Sequence, residues 1–181
     1  MTATLRIRLP TAPPAPSLAA PTFTVDGPLA GLRVGLRHEG SWRSWMLITD
    51  VWQRLLAGDD AEPVMLQTGE RVGAEGEATR QAVEQWVGKI DCAVSGLGTC
   101  GSCTSWSVAD AVSVEAGGKP AVVAVTAEFE THARNMAAYL GHGDLKVLVL
   151  PYPLEARPEE ELHQIADDFY PQFLDLVGAK R

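Results

Sequence analysis

SGLGTCGSCTSWSVADAV, residues Ser95–Val112, joins a segment that reads as a buried strand to one that reads as a helix. The turn between them holds two of the three cysteines in a chain of 181 residues. Upstream, CAVSGLG (92–98) is apolar without alternation, as expected of a strand covered on both faces in a parallel sheet. Downstream, Val108 to Ala116 can form a helix that stops at the Gly117-Gly118 pair.

The same rhythm extends in both directions. Before the motif, LRVGLR (32–37) and EPVMLQT (62–68) read as strands. Between them, residues 41–56 carry Trp42, Trp45, Ile48, Trp52 and Leu55 at helical intervals, with Ser41 as the expected N-cap. EATRQAVEQWVGKI (77–90) places Ala82, Val83, Trp86, Val87 and Ile90 on one stripe. After the motif come PAVVAVTA, a helix with Phe129, Ala133, Met136, Ala137 and Leu140 on one side, and LKVLVLPYP. Pro158 followed by Glu159, Glu160 and Glu161 opens a last helix, which Pro171 is expected to kink or end early.

Five apolar strands alternating with about five helices predict an α/β fold: a single doubly wound parallel sheet, flavodoxin-like order 2-1-3-4-5, with helices on both faces. Ligands of such sheets bind beyond the carboxyl ends of the strands, at the switch point between the first and third. The ends expected to meet there are His38 and Glu39, Thr68, Thr99 to Thr104, Thr126 to Phe129, and Pro151 to Pro153.

The chain reads as one domain, 29–181, preceded by a Pro/Ala-rich arm, 1–28. Within the arm, TATLRIRL alternates apolar and polar residues and could add to a sheet edge or cross to another subunit. With the Trp-rich first helix it predicts a homo- or hetero-oligomer. A formal charge of -8 argues against nucleic acid as a partner. No apolar run is long enough to span a bilayer, and prolines and arginines interrupt the N-terminal stretch where a secretory signal would need a continuous apolar centre. A cytoplasmic address is therefore expected, and a close cysteine pair in a reducing compartment points to catalysis, redox chemistry or a metal.

A helix N-terminus stabilises a thiolate, and Gly101 and Ser102 permit a tight turn between Cys100 and Cys103. Cys100 can attack and Cys103 resolve the mixed species. Two other readings stand beside this one: part of a metal site, which would need further ligands that the motif does not supply, or two small residues filling a turn. No metal and no cofactor is expected. Cys92 opens a buried strand, away from the reactive end. Gly96, Gly98 and Gly101 have dinucleotide-motif spacing, but after the third strand and with no acid following at the expected distance. An anion pocket formed by Thr99, Gly101, Ser102, Thr104 and Ser105 fits better. His132, four residues after Glu128, can reach the crevice as an acid–base partner or be a satisfied, partly buried side chain. Thr126, Glu128 and His38 complete the candidate set, whereas His142 and His163 read as solvated. Trp42 is close enough to the first strand's end to line a pocket.

The run CGSCTSWS resembles the bacterial family named for its U-G-S-C motif, in which U is selenocysteine. The similarity continues through the Asp110 helix, GKPAVVAVTAEF, LKVLVLPYPL and the Glu-rich start of the last helix. The resemblance implies that Cys100 stands where some members carry selenocysteine, which favours redox chemistry with Cys103 as resolving partner. The sheet also looks similar to aspartate/glutamate racemase-like proteins, although Val125-Thr126 stands where a second facing cysteine would be needed. The expected activity is that of a thiol-dependent oxidoreductase acting on a small molecule, with a possible thiol reductant. The alternatives are a cysteine-dependent lyase, hydrolase or isomerase, and a subunit of a larger complex.

Overall fold

Five strands and five α-helices alternate along residues 22–180, the part of the chain that the computed structural model describes. They are β1 (Arg33–His38), α1 (Arg43–Gly58), β2 (Glu62–Gln67), α2 (Gly73–Val87), β3 (Cys92–Gly98), α3 (Gly101–Ala116), β4 (Ala121–Thr126), α4 (Glu130–Tyr139), β5 (Lys146–Leu150) and α5 (Glu159–Val177). All strand pairs are parallel and the order is β2-β1-β3-β4-β5, the predicted doubly wound α/β topology. Every residue of β3 and β4 is buried, because each has a strand on both sides and helices above and below. The edge strand β2 is only half-covered.

Two apolar layers hold the sheet. On one side Trp45, Ile48 and Trp52 of α1 meet Leu162, Tyr170 and Phe173 of α5. Trp52 stacks on Phe173 at 5.2 Å, and its indole N–H donates to Ala166 O at 2.8 Å. On the other side Trp86, Val108, Ala111, Val114 and Ala133 cover Val123 and Val125. Among the described residues no helix is long and apolar enough to cross a membrane.

Four local expectations need correction. Helix α2 begins at Gly73 rather than Glu77, and α3 at Gly101 rather than Val108, so the cysteine motif, expected at a helix N-terminus, forms the N-cap and first turn of α3 itself. Ser41 does not cap α1: the Trp42 N-cap makes no side-chain bond, and Glu155 takes its place by accepting from the N–H groups of Arg43 at 2.9 Å and Ser44 at 3.2 Å. Pro171 does not end α5, which runs on to Val177. The ring lies on the exposed side of the helix, where water can satisfy the carbonyl that loses its partner.

The proposed strand-adding segment of the arm lies outside the described residues. Closer to the domain, Val25 N–H donates to Val177 O and Lys180 N–H to Gly27 O, both at 2.8 Å, which joins the chain before β1 to the end of α5.

Candidate functional site

β3 delivers the motif to the carboxyl end of the sheet, and its glycines make the approach possible. A Cβ at Gly96 would lie 2.7 Å from the Trp45 indole, whose N–H donates to Arg37 O at 3.0 Å. A Cβ at Gly98 would lie 2.7 Å from Val125 Cγ1 and 3.1 Å from Thr104 Cα. The G-x-G spacing thus lets an indole and the first turn of α3 press against the strand.

Cys100 is the N-cap of α3. Its backbone is extended (φ -147, ψ 171), and its Sγ accepts the Cys103 N–H at 3.1 Å. Cys100 and Cys103 are joined in a disulfide with Cα atoms 5.2 Å apart. Cys100 is half-buried, whereas Cys103 is 7% exposed. An N-cap sulfur that receives a backbone N–H at the positive end of a helix is where a thiolate gains most once the pair is reduced. Cys92 contrasts with it: burial pushes its thiol up to about 12.

The candidate polar residues gather around this turn in specific ways. Ser102 Oγ is 3.5 Å from Cys100 Sγ. Thr104 Oγ1 donates to Cys100 O at 2.6 Å and Ser105 Oγ to Gly101 O at 3.0 Å, so both hydroxyl hydrogens are spent on carbonyls one turn back. Gly101 is exposed, its carbonyl accepting that bond. His132 Nε2 sits 3.0 Å from Ser105 Oγ and 3.1 Å from Gly101 O, a pattern satisfied when Nε2 carries the hydrogen. His132 thereby staples α4 to the first turn of α3. Thr126 Oγ1 donates to Thr99 Oγ1 at 3.2 Å just before Cys100. Glu128 is exposed on the 3-10 turn before α4 and makes no hydrogen bond among the described residues.

A crevice of about 600 Å³ opens between the ends of β1 and β2 and the first turns of α2 and α3, at the topological switch point. Of the strand-end residues expected to meet there, Glu39, Thr68, Ser102 and Cys103 line it, together with Arg71 and Trp106, which the sequence did not single out. A second groove of about 540 Å³ continues between α2 and α3, sharing Arg71 and Trp106 but holding no cysteine. His38 is half-buried at the end of β1, and its Nδ1 is buried without a partner among the described residues. Burial and the neighbouring Arg37 cation push its imidazole below the ordinary range. Trp42 packs on the α1/α5 core and does not line the crevice.

Beneath the crevice runs a chain of charges that sequence reading did not connect. Arg37 is wholly buried. Its Nη1 donates to Gly96 O at 2.9 Å and Ser107 Oγ at 3.1 Å, and its Nη2 to Glu39 Oε1 at 3.0 Å. Its Nε lies 2.8 Å from Asp110 Oδ2, close enough for an ion pair although not aligned as a hydrogen bond. Asp110 accepts both Nη groups of Arg71, at 3.0 and 2.6 Å, and the Arg71 guanidinium stacks 5.2 Å from the Trp106 ring. The one sequence signal was Arg37 itself, a charge directly after the apolar run 34–36 of β1.

The sequence profile of the UGSC family matches residues 6–179. This chain belongs to the UGSC family. No curated protein matches it significantly. In this UGSC family chain Cys100-Gly101-Ser102-Cys103 forms the N-cap and first turn of α3. Among the described residues no group of three or more His, Cys, Asp or Glu side chains is placed to hold a metal ion.

Proposed function

We propose that this UGSC family protein is a thiol-dependent oxidoreductase that reduces a small molecule through the Cys100–Cys103 pair. One observation carries the reading: the two sulfurs are already within bonding reach at a helix N-terminus, with Cys100 more exposed and Cys103 buried behind it beside a crevice. In the reduced form the Cys100 thiolate, held by the Cys103 N–H and the helix dipole, attacks an electrophilic sulfur of the substrate and expels one thiolate. Cys103 then attacks Cys100 Sγ, releasing the second thiolate and forming the disulfide. The substrate gains two electrons, and a small or protein dithiol returns the pair to its reduced state. The motif's place for selenocysteine in the family's name, at Cys100, agrees with a redox nucleophile there.

The crevice lining favours an uncharged or cationic substrate over an anion. It carries the carboxylates of Glu39, Glu70 and Glu75 against one guanidinium, Arg71, which is paired with Asp110. A cytoplasmic location would supply the reductant.

Mass analysis of the reduced protein after mild peroxide or a small-molecule disulfide tests the reading. The expected result is loss of two hydrogens confined to the Cys100–Cys103 peptide. Cys103→Ser should accumulate a mixed disulfide on Cys100, and Cys100→Ser should do neither. Thiols that persist in the wild-type protein, with no adduct in Cys103→Ser, would overturn it in favour of a cysteine-dependent lyase, hydrolase or isomerase.

A further inference from the structure

We propose that Glu39 is the proton acceptor for the resolving thiol of Cys103. The inference rests on the dithiol reading above and names the group that makes its second step possible.

Cys103 must ionise to attack, yet it is 7% exposed, and a thiol in low-dielectric surroundings resists ionisation. Unlike Cys100, it is not the sulfur that receives the helix-capping N–H. A base therefore has to take its proton from the crevice side. The charged groups lining that crevice with Cys103 are Glu39, Glu70, Glu75 and Arg71. Arg71 has no acceptor atom and is bound to Asp110. Glu70 and Glu75 are exposed on the β2–α2 loop and the first turn of α2.

Glu39 is the carboxylate that is held in place. Its side chain is 16% exposed, and its Oε1 is fixed by Arg37 Nη2 at 3.0 Å, while Oε2 makes no hydrogen bond among the described residues. The same guanidinium donates through Nη1 to Ser107, one helical turn after Cys103. Arg37 thus ties the carboxylate at the end of β1 to the helix face that carries the thiol. A cavity of about 600 Å³ has room for the one bridging water that a general base can use.

In the mixed disulfide Cys100–S–S–R, the Cys103 proton passes to Glu39 and the Cys103 sulfur attacks Cys100 Sγ. The bond from Cys100 Sγ to the substrate sulfur breaks, and RS⁻ leaves with the electron pair to be protonated by solvent. Glu39 then returns its proton to water. The charged and titratable groups around Glu39 during this step are Arg37 at the end of β1, itself paired with Asp110 of α3, then Arg71 and Glu70 from the β2–α2 loop, Glu75 from α2, and His38, its neighbour in sequence.

The test is quenched-flow mass spectrometry of the reduced full-length protein with hydroxyethyl disulfide as oxidant, across a pH series. It follows capture on Cys100 and resolution to the Cys100–Cys103 disulfide separately. Glu39→Gln should lower the ratio of resolution to capture rates about a hundredfold and make resolution rise steadily with hydroxide. Glu39→Asp should restore part of the loss, and Glu160→Gln, an exposed carboxylate in the first turn of α5, should keep the wild-type ratio. An unchanged ratio and pH profile in Glu39→Gln, or an equal loss in Glu160→Gln, would overturn the assignment. Failure of the wild-type protein to form the internal disulfide at all would instead overturn the dithiol reading.

Discussion

At the scale of single residues, the space left by Gly98 matters as much as the sulfur chemistry two positions later. Its missing side chain admits Thr104 Cα at 3.1 Å and Val125 Cγ1 at 2.7 Å from where a Cβ would stand. Gly98→Ala must therefore push α3 off the strand or displace Val125. Overpacking of this kind costs about 1–3 kcal/mol, read as a shift in the urea midpoint, and alkylation of reduced Cys100 by iodoacetamide should slow as its cap geometry is lost. His38 makes a second prediction. Its native pKa lies below the unfolded value near 6.5, so the unfolded state binds more protons as pH falls through that range. Its contribution to stability is therefore complete above the unfolded pKa and drains away with acidification. Between about pH 7.5 and pH 5.5, thermal melts of the wild-type protein should lose more stability than those of His38→Asn. The cysteines were legible because two in one turn are conspicuous. Arg37 and Glu39 are two residues apart, but Asp110 joins them only in three dimensions, and no spacing along the chain announces that contact.

At the scale of elements, α1 shows how an end can be finished from a distance. The carboxylate of Glu155, on the loop after β5, accepts from Arg43 N–H, Ser44 N–H and the Ser44 hydroxyl, the last at 2.7 Å. It also sets a negative charge on the positive end of the helix. Glu155→Ala removes acceptor and charge together and should cost about 1–2 kcal/mol in chemical denaturation, with Glu155→Gln losing less because its amide oxygen can still accept. The strands were readable from continuous apolar runs, and their order from the right-handed crossovers that helices between parallel strands make. Helix beginnings were not, for separate reasons. The helical stripe expected from Glu77 left Gly73 and Gly76 out, yet a Cβ at Gly76 would meet the Arg71 backbone carbon at 2.4 Å, so the residue is needed where α2 starts close against the loop before it. At Gly101 the run of small polar residues concealed a first turn that its own hydroxyls help to close. His142 was expected in solvent from its flanking glycines, but the α4–β5 loop folds over the last turn of α3. Its Nδ1 lies 2.7 Å from Glu115 Oε2, in a pair whose side chains are 13% and 2% exposed.

At the scale of the whole molecule, the charged chain does for the reactive end of the sheet what the two apolar layers do for the rest. Asp110 stands between Arg37, on a central strand, and Arg71, on the loop that forms one wall of the crevice, with side-chain exposures of 6%, 0% and 13% respectively. One carboxylate thus compensates two guanidiniums that have given up most of their water, with Glu39 sharing the charge of Arg37. Removing a partner from such a group costs more than the intact group contributes, because an uncompensated buried charge remains. Asp110→Ala should therefore lose about 3–5 kcal/mol of unfolding free energy in urea. Arg71→Ala should lose less, since it leaves Asp110 facing Arg37. The two variants also separate stability from the shape of the site: Arg71→Ala frees the β2–α2 loop and the Trp106 ring while the Arg37–Glu39 contact stays whole. Trp106 fluorescence and loop amide exchange should then change in Arg71→Ala at denaturant concentrations where the sheet is still folded. If Asp110→Ala instead melted like the wild-type protein, Arg37 would have to be finding water or another acceptor, and the charged chain could not be what holds β1, α3 and the crevice wall together.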